Sequence, residues 1–148
     1  MLRRGLIVLG LVLTGLALRA APPAEAATMV LVERATTDSV TRVGPKADNV
    51  GDLLTFHNQI YDRENKKLVG EDNGWCVRVV VGEAWQCRAT LILDKGQIAV
   101  SGPFYDNRSS VLSVTGGTGA YAAVRGQMKL RKLDPQGKES EFVLSLVD

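Results

Sequence analysis

The run Val100-Ser101-Gly102-Pro103-Phe104-Tyr105, followed by Val111-Leu112-Ser113-Val114, the turn Thr115-Gly116-Gly117-Thr118-Gly119 and a third segment opening with Ala120-Tyr121, decides the fold. Reversal between twisted strands requires positive φ, which glycine adopts without a Cβ clash, so the glycine-dense turn reads as a strand connection. The segment beyond it alternates: Val124, Met128 and Leu130 fall on one face, and Arg125, Gln127, Lys129 and Arg131 on the other. A period of two buries one face of a strand and wets the other. Gly117-Thr118-Gly119 is not a phosphate loop, because a phosphate loop must open a helix and the residues after Gly119 alternate as a strand.

The same pattern extends in both directions. Upstream, Met29, Leu31 and Glu33 share one face of a first strand, and Val30, Val32 and Arg34 the other. Thr36 to Val50 is polar and reads as a long connection or an overlying flap. A second strand runs from Asp52 to Tyr61, with Leu54, Phe56, Asn58 and Ile60 in one phase. Asn58 therefore points with the apolar side chains, and a buried amide is either satisfied within the core or lines a polar spot in a pocket. His57, the single histidine, falls on the wetter face; one histidine offers no metal constellation and no nucleophile triad.

Asp62 to Asn73, with Lys66-Lys67 and Glu71-Asp72, reads as a solvated charged loop. A hairpin comes next, Trp75 to Val81 and Ala84 to Leu93, turning at Gly82-Glu83; Cys76 and Cys87 flank that turn and fall opposite each other, at a spacing a disulfide can bridge. Asn107-Arg108-Ser109 matches a glycosylation sequon. Asp134 to Lys138 is a last turn before Glu139 to Val147, where Phe142, Leu144 and Leu146 alternate with Glu141, Val143 and Ser145. The result is about eight antiparallel strands with no helix in the mature chain, which the pattern leaves open between a closed barrel and a two-sheet sandwich.

The N-terminus reads as a targeting segment. Arg3 and Arg4 precede an apolar run from Gly5 to Leu18, and Ala24-Glu25-Ala26 offers a cleavage site, so residues 1–26 form a signal peptide and 27–148 one mature domain. The apolar run is too short to span a bilayer, so no stable membrane span is expected after its removal. The paired arginines fit a loose twin-arginine pattern, but the general secretory route is favoured; the destination is secreted, periplasmic or the cell envelope. Removing three arginines and one glutamate from 18 basic and 16 acidic residues leaves 15 of each, a balance that gives no footprint for nucleic acid. In an oxidising compartment Cys76 and Cys87 are expected to pair.

Six ordered segments resemble the allene oxide cyclase family and the wider superfamily it shares with dirigent proteins: Gly51 to Tyr61, Gly74-Trp75-Cys76-Val77, Arg88-Ala89-Thr90, Val100 to Phe104, Val114 to Gly119 and Gly126 to Leu130. The resemblance covers roughly residues 28 to 147. It implies an all-β fold, an eight-stranded antiparallel β-barrel with an apolar lumen, no cofactor and no metal, and a homo-oligomer, trimer or dimer. Family members cyclise an unstable fatty-acid epoxide or guide the stereoselective coupling of radicals.

By motif, the glutamate that assists epoxide opening falls on Glu33, the asparagine that holds a water on Asn58, and the cysteine that steers the substrate tail on Cys76. Phe56, Pro103 and Phe104 would contact the ligand. Three positions depart from the cyclase pattern: Ala35 replaces a water-holding asparagine, Phe104 lacks a tyrosine hydroxyl, and Cys76 has a partner in Cys87. The expected function is binding of a small hydrophobic molecule in the lumen, with guidance of its cyclisation or coupling by a cofactor-free isomerase or cyclase. The alternative is a non-catalytic carrier of a lipid-like ligand, or an oligomeric scaffold barrel.

Overall fold

The computed structural model describes residues 27–147; the expected signal peptide lies outside them. Nine strands form one antiparallel sheet: β1 (Ala27–Arg34), β2 (Ser39–Thr41), β3 (Leu53–Tyr61), β4 (Leu68–Val80), β5 (Ala84–Leu93), β6 (Gly96–Tyr105), β7 (Ser110–Gly117), β8 (Arg125–Lys132) and β9 (Glu139–Val147). The order is β1-β9-β8-β7-β6-β5-β4-β3-β2, and a further pairing of β1 with β3 closes the ring. Eight strands make the barrel, and the three-residue β2 continues the line of β1 along β3. Closure selects the barrel over the sandwich and removes the free sheet edges that an open antiparallel sheet would present.

Each strand places its apolar phase inward. Leu31 on β1, Ile60 on β3, Leu91 on β5, Ile98 and Val100 on β6, Leu112 and Val114 on β7, Met128 on β8, and Phe142, Leu144 and Leu146 on β9 are buried in one cluster. The packing is unequal along the axis. At the end where β1 begins and β9 finishes, Ile60, Ile98, Val124, Leu144 and Leu146 fill the interior. At the other end the interior stays hollow.

Two local expectations are corrected. The charged stretch from Asp62 to Asn73 is a loop only as far as Lys67: β4 begins at Leu68 and carries Glu71 and Asp72 into the barrel wall, paired to Gln59 and Asn58. Barrel closure supplies the hydrogen-bond partners that hold a charged segment extended, whatever its intrinsic preference. The segment at Ala120-Tyr121 is a 3-10 turn (Gly119–Tyr121), and its strand starts at Arg125. Gly119 adopts φ +60° against the Lys95 carbonyl, which accepts the Ala120 N–H at 2.8 Å, so the turn docks on the β5–β6 hairpin before the chain re-enters the sheet. The polar connection after β1 holds β2 and is pinned by Asp52, whose fully buried carboxylate accepts from Arg42 Nη1, the backbone N–H groups of Val43 and Asn49, and Asn49 Nδ2.

Cys76 on β4 and Cys87 on β5 stand directly opposite in register and are joined in a disulfide. The bridge closes a loop with a sequence separation of 11 and ties together two strands of the hollow half. Replacing both cysteines with alanine should lower unfolding free energy by about 2–3 kcal/mol, chiefly by freeing the unfolded chain. Urea denaturation checks this, the m-value rising as the unfolded chain expands, and a loss below about 0.5 kcal/mol would mean that the strand register alone holds the pair together.

Candidate functional site

The hollow half of the barrel is a cavity of about 90 Å³. Its walls are apolar: Leu54 and Phe56 on β3, Leu91 on β5, Phe104 on β6, Leu112 on β7, and Met128 and Leu130 on β8. Room is made by Gly74, which occupies an inward position of β4 between Asp72 and Cys76; a Cβ there would lie 2.6 Å from Phe56 Cζ. The Phe56 ring thus lies over bare backbone, and a larger residue at Gly74 would push it into the lumen.

On one side the apolar lining is broken by acids. Glu33, Asp38 and Asp72 all line the cavity, although they come from β1, the connection after it, and β4. Asn58 joins them from behind. Its Nδ2 donates to Glu33 Oε1 at 3.0 Å and to Asp38 Oδ1 at 2.9 Å, and its Oδ1 accepts the backbone N–H groups of Thr36 and Thr37 at 2.8 and 3.1 Å. Both donors and both acceptor lone pairs of the amide are therefore taken by protein. Asn58 is 1% exposed and does not line the cavity. It aims Glu33, and only Glu33 and Asp72 present carboxyls to the lumen from the strands themselves.

These carboxyls hold their protons more tightly than ordinary acids. Burial pushes Glu33 up to about 7; hydrogen bonds from Asn58 and Ser140 oppose the rise, and the charge of Asp38 adds to it. Burial pushes Asp72 further, to about 8, with the neighbouring charge of Glu33 as the second cause, while the backbone N–H groups of Asn58 and of Asp72 itself pull the other way. Asp72 is 1% exposed and its Oδ1 has no hydrogen-bond partner among the described residues. Two desolvated acids side by side cannot both ionise readily, so the pair retains a proton near neutral pH. Such a pair can give a proton to an oxygen in the lumen and take one back.

The structure places Glu33, Phe56, Cys76 and Phe104 around the cavity. Pro103 sits on the same strand as Phe104 but in the opposite phase, across from Gln86, and does not line the cavity. Cys76 lines it as half of the disulfide, so no thiol is free there. His57 is exposed, 3.1 Å from Glu71 on the outer face. Asp72 is the residue that sequence reasoning missed. Counting back by twos from Cys76, through Gly74, places it in the inward phase, a signal hidden by the charges around it.

The family model for allene oxide cyclase matches residues 32–136, and the chain belongs to that family. Among solved structures, a pyocyanin demethylase is 25% identical with a TM-score of 0.71, covering 82% of this chain and 100% of its own. A pterocarpan synthase dirigent protein is 14% identical with a TM-score of 0.66, covering 85% and 96%. An exo-specific intermolecular Diels-Alderase is 19% identical with a TM-score of 0.61, covering 82% and 98%. The last two share the fold.

The raised carboxyls fix a pH dependence. The folded protein binds more protons than the unfolded chain between the unfolded values near 4 and the folded values of about 7 and 8, so stability falls as pH rises through that window. Thermal melting should therefore decline from pH 5 to pH 8, and Asp72→Asn, which keeps the shape and removes the ionisation, should flatten the decline. An equally steep profile in the variant would show that Asp72 ionises normally in the folded barrel.

Proposed function

We propose that this member of the allene oxide cyclase family is an exported barrel that binds a small hydrophobic molecule in its lumen and guides its cyclisation or stereoselective coupling. The observation that supports this most is a proton-holding acid pair, Glu33 and Asp72, set among the apolar side chains of the cavity wall. Export accords with the disulfide, which persists in oxidising compartments.

Such a site works first by confinement. Apolar walls exclude water and hold a reactive chain in one folded conformer, so that reacting atoms meet without a search. The protonated member of the pair then donates its proton to an epoxide, carbonyl or phenoxy oxygen as negative charge develops there, and the carboxylate left behind takes a proton from the product-forming carbon. Glu33 keeps its aim through Asn58, which acts as a positioning residue. The similarity to a pyocyanin demethylase makes pyocyanin the first compound to try beside epoxides and polyenes.

The test is a comparison of wild type, Glu33→Gln, Asp72→Asn and Asn58→Ala with a compound that the wild type binds and converts. Loss of a general acid should lower turnover by about 10²–10⁴-fold in Glu33→Gln or Asp72→Asn with affinity little changed. Asn58→Ala should lower turnover and broaden the product distribution. Full binding with product distribution unchanged from the uncatalysed reaction in wild type would identify a carrier.

A further inference from the structure

One side chain at the mouth has no part in the acid pair. Lys132 ends the inward row of β8 after Met128 and Leu130, and among the described residues it is the basic group that lines the cavity. Its stem passes over Gly137, where a Cβ would lie 3.6 Å from Lys132 Cδ and Cε. Its Nζ stands 5.2 Å from the centroid of the Phe104 ring and donates to the backbone carbonyl of Asp106 at 2.9 Å. The carboxylate of Asp106 is engaged elsewhere, by Arg78 Nη1 at 2.6 Å. An ammonium has three donors, so Lys132 keeps two for solvent or a ligand.

The topology sets this cation opposite Asp72 and two strands from Glu33, since Ser140 on β9 is paired to both Lys132 and Glu33. Going round the ring of eight strands, β8 and β4 are four steps apart in either direction, so Lys132 and Asp72 stand on opposite walls. Lys132 is exposed at the rim, and Asp72 is buried. A negative group placed deep in the cavity would meet Glu33 and Asp72; at the rim, where Asp38 is also exposed, Lys132 offers an ammonium with no carboxylate partner among the described residues.

We infer that Lys132 is a specificity-determining anchor and that the ligand is a small organic anion. Its carboxylate, sulfonate or phenolate pairs with Lys132 at the mouth, its apolar body lies along Phe104 and Leu130, and its proton-accepting oxygen reaches inward to Glu33 and Asp72. This rests on the lumen being a binding site, and it adds the charge and the orientation of what binds there.

Two fluorescent probes separate the two claims: 8-anilinonaphthalene-1-sulfonate and N-phenyl-1-naphthylamine, which share an apolar skeleton and differ in the anionic group. In the purified protein, Lys132→Met should weaken the sulfonate about tenfold and the neutral amine less than twofold, while Lys132→Arg retains the sulfonate. Ala89→Phe, which fills the lumen, should abolish binding of both. Equal effects of Lys132→Met on the two probes, or none on either, would overturn the anchor and leave the lumen as a binding site. Failure of wild type to bind either probe, or binding that survives Ala89→Phe, would overturn the lumen reading and the anchor with it.

Discussion

The amide of Asn58 is the point on which both barrel and site depend. Beyond Arg34 the chain leaves its ladder with β3 and regains it at Ser39, and the gap would strand backbone donors beside a buried surface. The carbonyl oxygen of Asn58 takes two of them, the N–H groups of Thr36 and Thr37, and its amino group reaches the other way to Glu33 and Asp38. One side chain thus closes the β1–β3 seam and orients the acids. A buried amide that left any of these contacts unmade would cost about 1–3 kcal/mol per group, so the seam and the orientation are enforced together.

That economy comes with a tension elsewhere. A stable core would not hold Asp72 near Glu33, since burial desolvates both, the charge of Glu33 opposes that of Asp72, and the Asp72 Oδ1 has no partner among the described residues. The barrel accommodates them by keeping a proton, and the filled half, from Ile60 and Ile98 to Leu144, supplies the stability that the hollow half lacks. The disulfide lines the hollow half. Local violations of packing and polar-satisfaction rules that are offset elsewhere in a fold mark functional ground.

Most of the architecture is legible because alternation is a local property. The inward phase of Met29, Leu31 and Glu33, of Leu54 through Ile60, and of Phe142 through Leu146 is written residue by residue, and the structure keeps it. Legibility fails where distant partners decide. Asp62 to Asn73 looks like solvated loop because charge dominates it, yet β3 and β5 on either side hold its second half extended. Tyr121 belongs to a docked turn for a reason that lies at Lys95, on a different hairpin. Asn58 shows its direction in the sequence but not its saturation, since its partners lie on β1 and on the connection after it. Barrel closure cannot be read from alternation at all; it becomes visible only in the pairing of Glu33 with Ile60.

The reactive groups facing the lumen limit what it can do. With Cys76 bound to Cys87, the cysteine position of the family contributes shape and no nucleophile. Ala35, where the cyclases have an asparagine, lines the cavity with a methyl group, and the second strand carboxyl there is Asp72, on the other side of β3. Asp72 pairs with Asn58 across that ladder and therefore shares a wall with Glu33 through a single intervening strand. The two carboxyls are close enough to couple because β1 and β4 flank the same strand. Had barrel closure paired β1 with any other strand, the acids would stand apart, and each would ionise as its own surroundings dictate.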